Sequence, residues 1–225
     1  MPVDVAFTPA EAAPATVGVV VDVLRATSTI AQALASGYER VLCCAEIEDA
    51  RALRAELPDS LLGGERQAVR VEGFDVGASP REFLEAQART LILSTTNGTR
   101  AILETARQCD RVLLGSLLNL SAVAEAVRSD DVVVVCAGFQ GGFALDDVYC
   151  AGRIVALLGG ERTHAATAAE LLAQAFRSAL DGLNARTYGP PGLEEDIAYC
   201  AQEDLLEAVP ELTEVEGAAA EIMLR

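Results

Sequence analysis

The chain has 225 residues, 51% of them hydrophobic and 23% charged, and its 17 basic against 34 acidic side chains give a formal net charge of −17. A chain of this length removes about 70% of its surface from water on folding, so a full core needs neither disulfides nor a structural metal, and the composition excludes disorder. The charge excludes nucleic acid and anionic membrane surfaces as partners, and no apolar run approaches the ~20 residues of a membrane span.

Residue usage narrows the chemistry further. All 17 basic residues are arginines. The absence of lysine excludes Schiff-base catalysis, the P-loop lysine, and the lysine that haloacid-dehalogenase phosphatases set beside an aspartyl phosphate. The one histidine, His164, cannot supply a two-histidine metal site and reads as a helix-start residue. The six cysteines, Cys43, Cys44, Cys109, Cys136, Cys150 and Cys200, form no CxxC pair and sit mostly in apolar runs. The N-terminal stretch MPVDVAFTPAEAAPAT has neither a basic nor a long apolar segment. A cytoplasmic protein with reduced thiols is therefore expected.

In chain order, apolar strands alternate with amphipathic helices. Val17–Val21 is a buried strand ending at Asp22, and Ala26–Ser36 a helix closed by Gly37. Arg40–Cys44 is a strand, Ile47–Leu57 a helix stopped by Pro58, and Leu61–Leu62 a short strand running into a GGER loop. Ser79 caps a helix with Pro80 at its first position. Then follow strand Leu91–Ser94, helix Gly98–Arg107, strand Arg111–Gly115, helix Leu120–Arg128, strand Val132–Cys136 and helix Ala144–Leu158. Ala165–Leu180 and Glu194–Ala208 read as helices about a Gly/Pro-rich joint at Tyr188–Gly192. The pattern predicts an α/β fold with a largely parallel sheet covered by helices on both faces. Residues 1–225 form one domain with a helical C-terminal end.

Ligands of open parallel sheets bind beyond the carboxyl ends of the strands. The first strand delivers Asp22, Arg25, Thr27 and Ser28 to the start of a helix whose free N–H groups suit a phosphate. A second strand-to-helix turn brings Ser94, Thr95, Thr96, Asn97, Gly98, Thr99 and Arg100. Asn119 follows a third strand, and Asp146 and Asp147 follow a Gly-rich loop after a fourth. Between strands lie Glu65 and Arg66, then Asp75 in a glycine-rich loop. Carboxylates without histidine or cysteine suit Mg²⁺, and arginines suit an oxyanion. The expected catalytic residues are Asp22, Arg25, Arg66 and Arg100. Thr27, Ser28, Thr95, Thr96, Asn97, Gly98, Thr99 and Asn119 are the expected substrate contacts. Asp22, Glu65, Asp146 and Asp147 are the expected metal ligands, Asp147 ahead of Asp146 because neighbours on a helix diverge by about 100°. The expected partner is a small anionic phosphoester, and a homo-oligomer is compatible with the sequence.

DVLRATSTI (Asp22–Ile30), GGER (Gly63–Arg66), GFDVGASP (Gly73–Pro80), TTNGT (Thr95–Thr99), GSLLN (Gly115–Asn119), CAG (Cys136–Gly138) and FALDDVYCAG (Phe143–Gly152), in this order, resemble the 2-phosphosulfolactate phosphatase family of coenzyme M biosynthesis. The C-terminal DIAYCA (Asp196–Ala201) is also similar. The resemblance implies a three-layer α/β/α sandwich with a parallel or mixed sheet, Mg²⁺ as cofactor, and hydrolysis of (2R)-2-phospho-3-sulfolactate to 3-sulfolactate and phosphate. The sequence departs where the family usually has Asn, at Ala78, and where it usually has Glu-Asp, at Asp146-Asp147. A histidine often found in the C-terminal region has no counterpart after His164. A water oriented by the metal and direct attack by Asp22 both remain open as routes. A related phosphatase for another small phosphorylated hydroxy acid and a non-catalytic anion-binding protein are the alternative readings.

Overall fold

A computed structural model describes residues 1–187 and 192–225, so the joint expected at Tyr188–Gly192 lies outside the described residues except for Gly192. Among the described residues the strands are β1 (Pro2–Ala6), β2 (Ala15–Val21), β3 (Arg40–Cys44), β4 (Leu61–Arg66), β5 (Val69–Arg70), β6 (Thr90–Ser94), β7 (Cys109–Gly115), β8 (Val132–Cys136), β9 (Glu161–Arg162), β10 (Pro210–Glu216) and β11 (Ala219–Leu224). The helices are α1 (Ala26–Ala35), α2 (Ile47–Glu56), α3 (Gly98–Thr105), α4 (Leu120–Ala126), α5 (Leu145–Leu157), α6 (His164–Gln174), α7 (Ala179–Asn184) and α8 (Glu194–Cys200). The strands join in one mixed sheet of order β5-β4-β6-β3-β11-β10-β7-β2-β8-β1-β9.

Side-chain alternation along the valine-rich strands sets the layers. Val17, Val19 and Val21 share a core with Val123 of α4 and Ile154 of α5, while Val20 joins the opposite core, which holds Ile30 and Leu34 of α1 and Ile102 of α3. In β3 and β6, Val41, Cys43, Leu91 and Leu93 belong to the α1 core, and Leu42, Cys44 and Ile92 cover Ala50 of α2. Helices therefore cover both faces, and α1 leans on strands from both halves of the sheet.

The sheet holds two parallel blocks. Strands β7, β2, β8, β1 and β9 form one and β4, β6 and β3 the other. The hairpin β10–β11 joins them through antiparallel pairs on both sides. A flat sheet would hold β2 and β6, with four strands between them, about 24 Å apart. The four residues from Ser94 to Gly98 reach at most about 14 Å. Yet a Cβ on Gly98 would lie 2.8 Å from Asp22 Oδ2 and would collide with Ala26 Cβ. The right-handed twist, roughly 20–25° per strand, thus curls the sheet around α1 and α3 until both blocks deliver their carboxyl ends to one place.

Two expected C-terminal helices differ from the structure. Ala165–Leu180 is divided, because the Ser178 hydroxyl accepts the Asp181 N–H at 3.1 Å and starts a new helix. Glu194–Ala208 stops as a helix at Cys200. Asp204 adopts a left-handed conformation (φ 56°), and its carboxylate accepts from the Ser121 N–H at 2.6 Å and the Ser121 hydroxyl at 2.7 Å. The segment is thereby drawn off to cap α4. The chain does not end in helix: Pro210–Leu224 forms the central hairpin. Its glutamates hide the strand pattern in the sequence, but Glu221 pairs with Arg40 of β3 and Glu211 with Arg111 of β7, each at 2.9 Å. The hairpin is thus fastened to both blocks. Ile222, fully buried on β11, seals it to the α1 core. Ile222→Ala should cost about 2–5 kcal/mol in urea unfolding. A loss below about 1 kcal/mol would show that the hairpin is not part of the cooperative core.

Candidate active site

A cleft of about 480 Å³ opens where the two blocks converge, lined by Asp22, Arg25, Glu65, Thr95, Thr96, Asn97 and Asp146 among the expected residues. Asp22 leaves β2 pointing at α3. Its carboxylate receives one long hydrogen bond, 3.4 Å from the Ala26 N–H. Burial first, then the charges of Glu65 and Asp146, push its pKa up to about 7, against the opposing pull of the Ala26 N–H and the Arg25 guanidinium.

The other carboxylates are better served. Glu65 accepts from the Thr96 N–H at 2.7 Å, the Thr96 hydroxyl at 2.9 Å and the Ala68 N–H at 2.6 Å, clamping the β6–α3 loop to the β4–β5 turn. Asp147 spends one oxygen on the Val23 N–H (2.9 Å) and the other on the Gly138 N–H (3.0 Å). It ties the ends of β2 and β8 together, and of the two neighbouring aspartates it is Asp146, not the Asp147 preferred from the sequence, that lines the cleft. Burial and the charges of Asp146 and Asp22 raise the Asp147 pKa, while the two N–H groups oppose the rise.

The arginines divide in the same way. Arg25 is held by Asp196 of α8 at 2.6 Å and by the Ala68 carbonyl at 3.0 Å, which leaves further N–H groups for the cleft. The second Asp196 oxygen accepts from the Ser79 hydroxyl at 2.5 Å, so one carboxylate joins three segments. Arg66 does not reach the cleft. GGER continues β4 as strand, and Arg66 donates to the Glu65 carbonyl (2.7 Å), the Ala45 carbonyl (2.8 Å) and the Ser94 hydroxyl (3.0 Å). Arg100 lies outside as well, in an exposed pair with Glu46 at 2.9 Å. Arg186, after α7, lines the cleft without having been anticipated, since nothing local marks it.

The hydroxyls of α1 turn inward. Thr27 donates to the Asp22 carbonyl at 3.0 Å and Ser28 to the Val23 carbonyl at 2.8 Å, and both are fully buried. Thr99 contacts the Thr95 hydroxyl at 3.1 Å, and Gly98 backs Asp22 and is not part of the cleft lining. Asn119 accepts from the Ser116 N–H at 2.9 Å and donates to the Leu114 carbonyl at 3.2 Å and the Ala208 carbonyl at 2.9 Å. Asp75 accepts the Leu62 N–H at 2.9 Å and braces its own loop. The cleft residues that the sequence did not indicate are Gln67, Ala68, Val69, Phe139, Gln140, Arg186 and Leu193.

Among the described residues no three His, Cys, Asp or Glu side chains form a preformed metal cage. Mg²⁺ needs none: it keeps several waters and takes one or two carboxylates plus substrate oxygens. Asp22 and Asp146, buried on one cleft with only oxygen donors, fit that requirement.

These features describe an α/β protein with a cleft for an anion beside crowded carboxylates. The family model for 2-phosphosulpholactate phosphatase matches residues 5–215. A probable 2-phosphosulfolactate phosphatase of Pseudothermotoga lettingae is 41% identical over 219 residues, spanning 94% of this chain and 96% of that one. One from Gloeobacter violaceus is 43% identical over 207 residues, spanning 87% of each chain. The chain belongs to the 2-phosphosulpholactate phosphatase family.

The pKa of Asp22 sets a pH dependence. Its folded value, about 7, lies above the ordinary 3.8, so the folded state holds the proton more tightly. That contribution is complete below 3.8 and is lost as pH rises through about 7. In metal-free buffer Asp22→Asn should melt above the parent at pH 8 and approach it near pH 4. Parallel melting curves would contradict the assignment.

Proposed function

We propose that the cleft hydrolyses (2R)-2-phospho-3-sulfolactate to 3-sulfolactate and phosphate with Mg²⁺ as cofactor. The observation that carries this reading is the under-solvated Asp22, crowded by Glu65 and Asp146 on a cleft that also holds Arg25 and Arg186. Asp22 and Asp146 would hold the ion, which supplies neutralising charge for the phosphate oxygens. Glu65, fully hydrogen-bonded, adds charge without coordinating. Arg25, fixed by Asp196, offers its remaining N–H groups to substrate oxygens. Asn97 heads α3 with no side-chain cap bond, so its amide is available to the same ligand. In the net reaction water oxygen bonds to phosphorus, the ester P–O bond breaks, and a proton passes to the departing alkoxide. The six cysteines are unpaired, and a reducing cytoplasm is the compartment we assign.

Phosphate release from 2-phosphosulfolactate should stop in EDTA and return with Mg²⁺. Asp146→Asn should lower kcat by about 100-fold or more with a near-normal melting temperature, whereas Asp147→Asn should chiefly lower the melting temperature. Full turnover by the Asp146 variant would remove it from the reaction.

A related hydroxy acid as the preferred substrate is favoured by one position. Ala78 lines the cleft, and its carbonyl is fixed by the Thr29 hydroxyl at 2.8 Å. The loop is therefore braced without the amide usual there in the family. Ala78→Asn should reorder kcat/KM among 2-phosphosulfolactate, phospholactate and phosphoglycolate more than it shifts the melting temperature. A changed melting temperature with an unchanged order would assign Ala78 to the loop alone.

A further inference from the structure

Two turns beside the cleft share an unusual construction. Gln67 and Ala68 connect the paired residues Arg66 and Val69 with φ of 53° and 62°. Gln140 and Gly141 connect Phe139 and Gly142, which exchange two backbone hydrogen bonds of 3.0 Å, with φ of 53° and 77°. Both are two-residue turns with positive φ at each central residue, a conformation that favours Asn, Asp and Gly. Each nevertheless places glutamine first. Both glutamines are exposed, both line the cleft, and neither side-chain amide has a hydrogen bond among the described residues. The first turn is also held by cleft residues, through the Glu65 carboxylate on the Ala68 N–H and Arg25 on the Ala68 carbonyl. Backbone strain of this kind persists where the surroundings over-determine it, as Glu65 and Arg25 do here.

We infer that Gln67 and Gln140 are specificity residues whose amides donate to the non-reacting anionic end of the substrate, a reading that rests on the phosphatase assignment of the cleft. Neutral amides add donors at that end without adding a further cation that would compete for the phosphate. The glutamine at each turn is explained by its side chain, since the backbone alone would favour glycine or asparagine.

The test is calorimetric binding of 3-sulfolactate, which is not turned over, against lactate, which lacks the sulfonate, in constant Mg²⁺. Gln67→Met and Gln140→Met keep the side-chain length and remove the donors. Each should weaken 3-sulfolactate roughly ten-fold, leave lactate within about two-fold, and leave the melting temperature nearly unchanged. Gln67→Gly should raise the melting temperature by about 2–4 °C while weakening 3-sulfolactate as the Met variant does. Unchanged selectivity in both Met variants, or a stabilised Gly variant with parental binding, would overturn the inference. Phosphate release by the parent is measured separately. A parent that releases no phosphate, with the Met variants still losing affinity for 3-sulfolactate and not for lactate, would refute the reaction and retain the glutamine assignment.

Discussion

The contact between Gly98 and Asp22 is the constraint on which the site depends. A side chain at 98 would press into Ala26 and the Asp22 carboxylate, so only glycine lets α3 begin there. That approach joins the end of β6 to the end of β2 although four strands lie between them. It closes Asp22 off from water, and this burial is the largest cause of its raised pKa. Sheet curvature, helix placement and electrostatics therefore meet in one contact. The hairpin β10–β11 serves the same end from the other side, since it lets two parallel blocks of opposite sense share a sheet.

Buried carboxylates are costly unless paired or hydrogen-bonded, and the fold satisfies them unequally. Asp196 has Arg25 and the Ser79 hydroxyl, Asp147 has two backbone N–H groups, and Glu65 has three donors. Each of these ties segments of the wall together. Among the described residues the Asp22 carboxylate accepts one long hydrogen bond only. The satisfied carboxylates build the cleft, and the poorly satisfied one faces into it.

Much of this was legible in the sequence, and the failures have physical causes. The strand endings at Asp22 and Ser94 follow from valine and leucine runs meeting polar residues, and so the turns bearing Asp22, Thr96 and Asn97 could be found. Which side of a strand a motif residue faces could not be read without the exact end of the strand. GGER reads as loop, but Gly63 and Gly64 pair with Leu93 and Ser94 of β6, and this turns Arg66 toward Ala45 and Ser94. Thr27 and Ser28 looked like ligand hydroxyls but are spent on the backbone carbonyls of Asp22 and Val23. The hairpin was hidden because Glu211 and Glu221 find their arginines on strands roughly 100 and 180 residues away in the chain, beyond any local pattern. Gln67 and Gln140 were invisible because their interest lies in backbone conformation, which their residue type argues against.

The overall charge and the cleft pull in opposite directions. A chain of net charge −17 repels an anionic substrate at long range, although salt screens that repulsion beyond about 8–10 Å. Capture therefore depends on short-range contacts, where surface arginines contribute little. Arg89 is paired with Glu39 and Arg100 with Glu46 in the open. Arg25 differs: with Asp196 it is almost wholly removed from water. Because Asp196 neutralises Arg25, the pair adds no net charge to the cleft, and its value lies in the fixed direction of its remaining donors. Donor geometry beside a crowded, partly protonated carboxylate, more than bulk positive potential, is how this acidic fold can accept an anion.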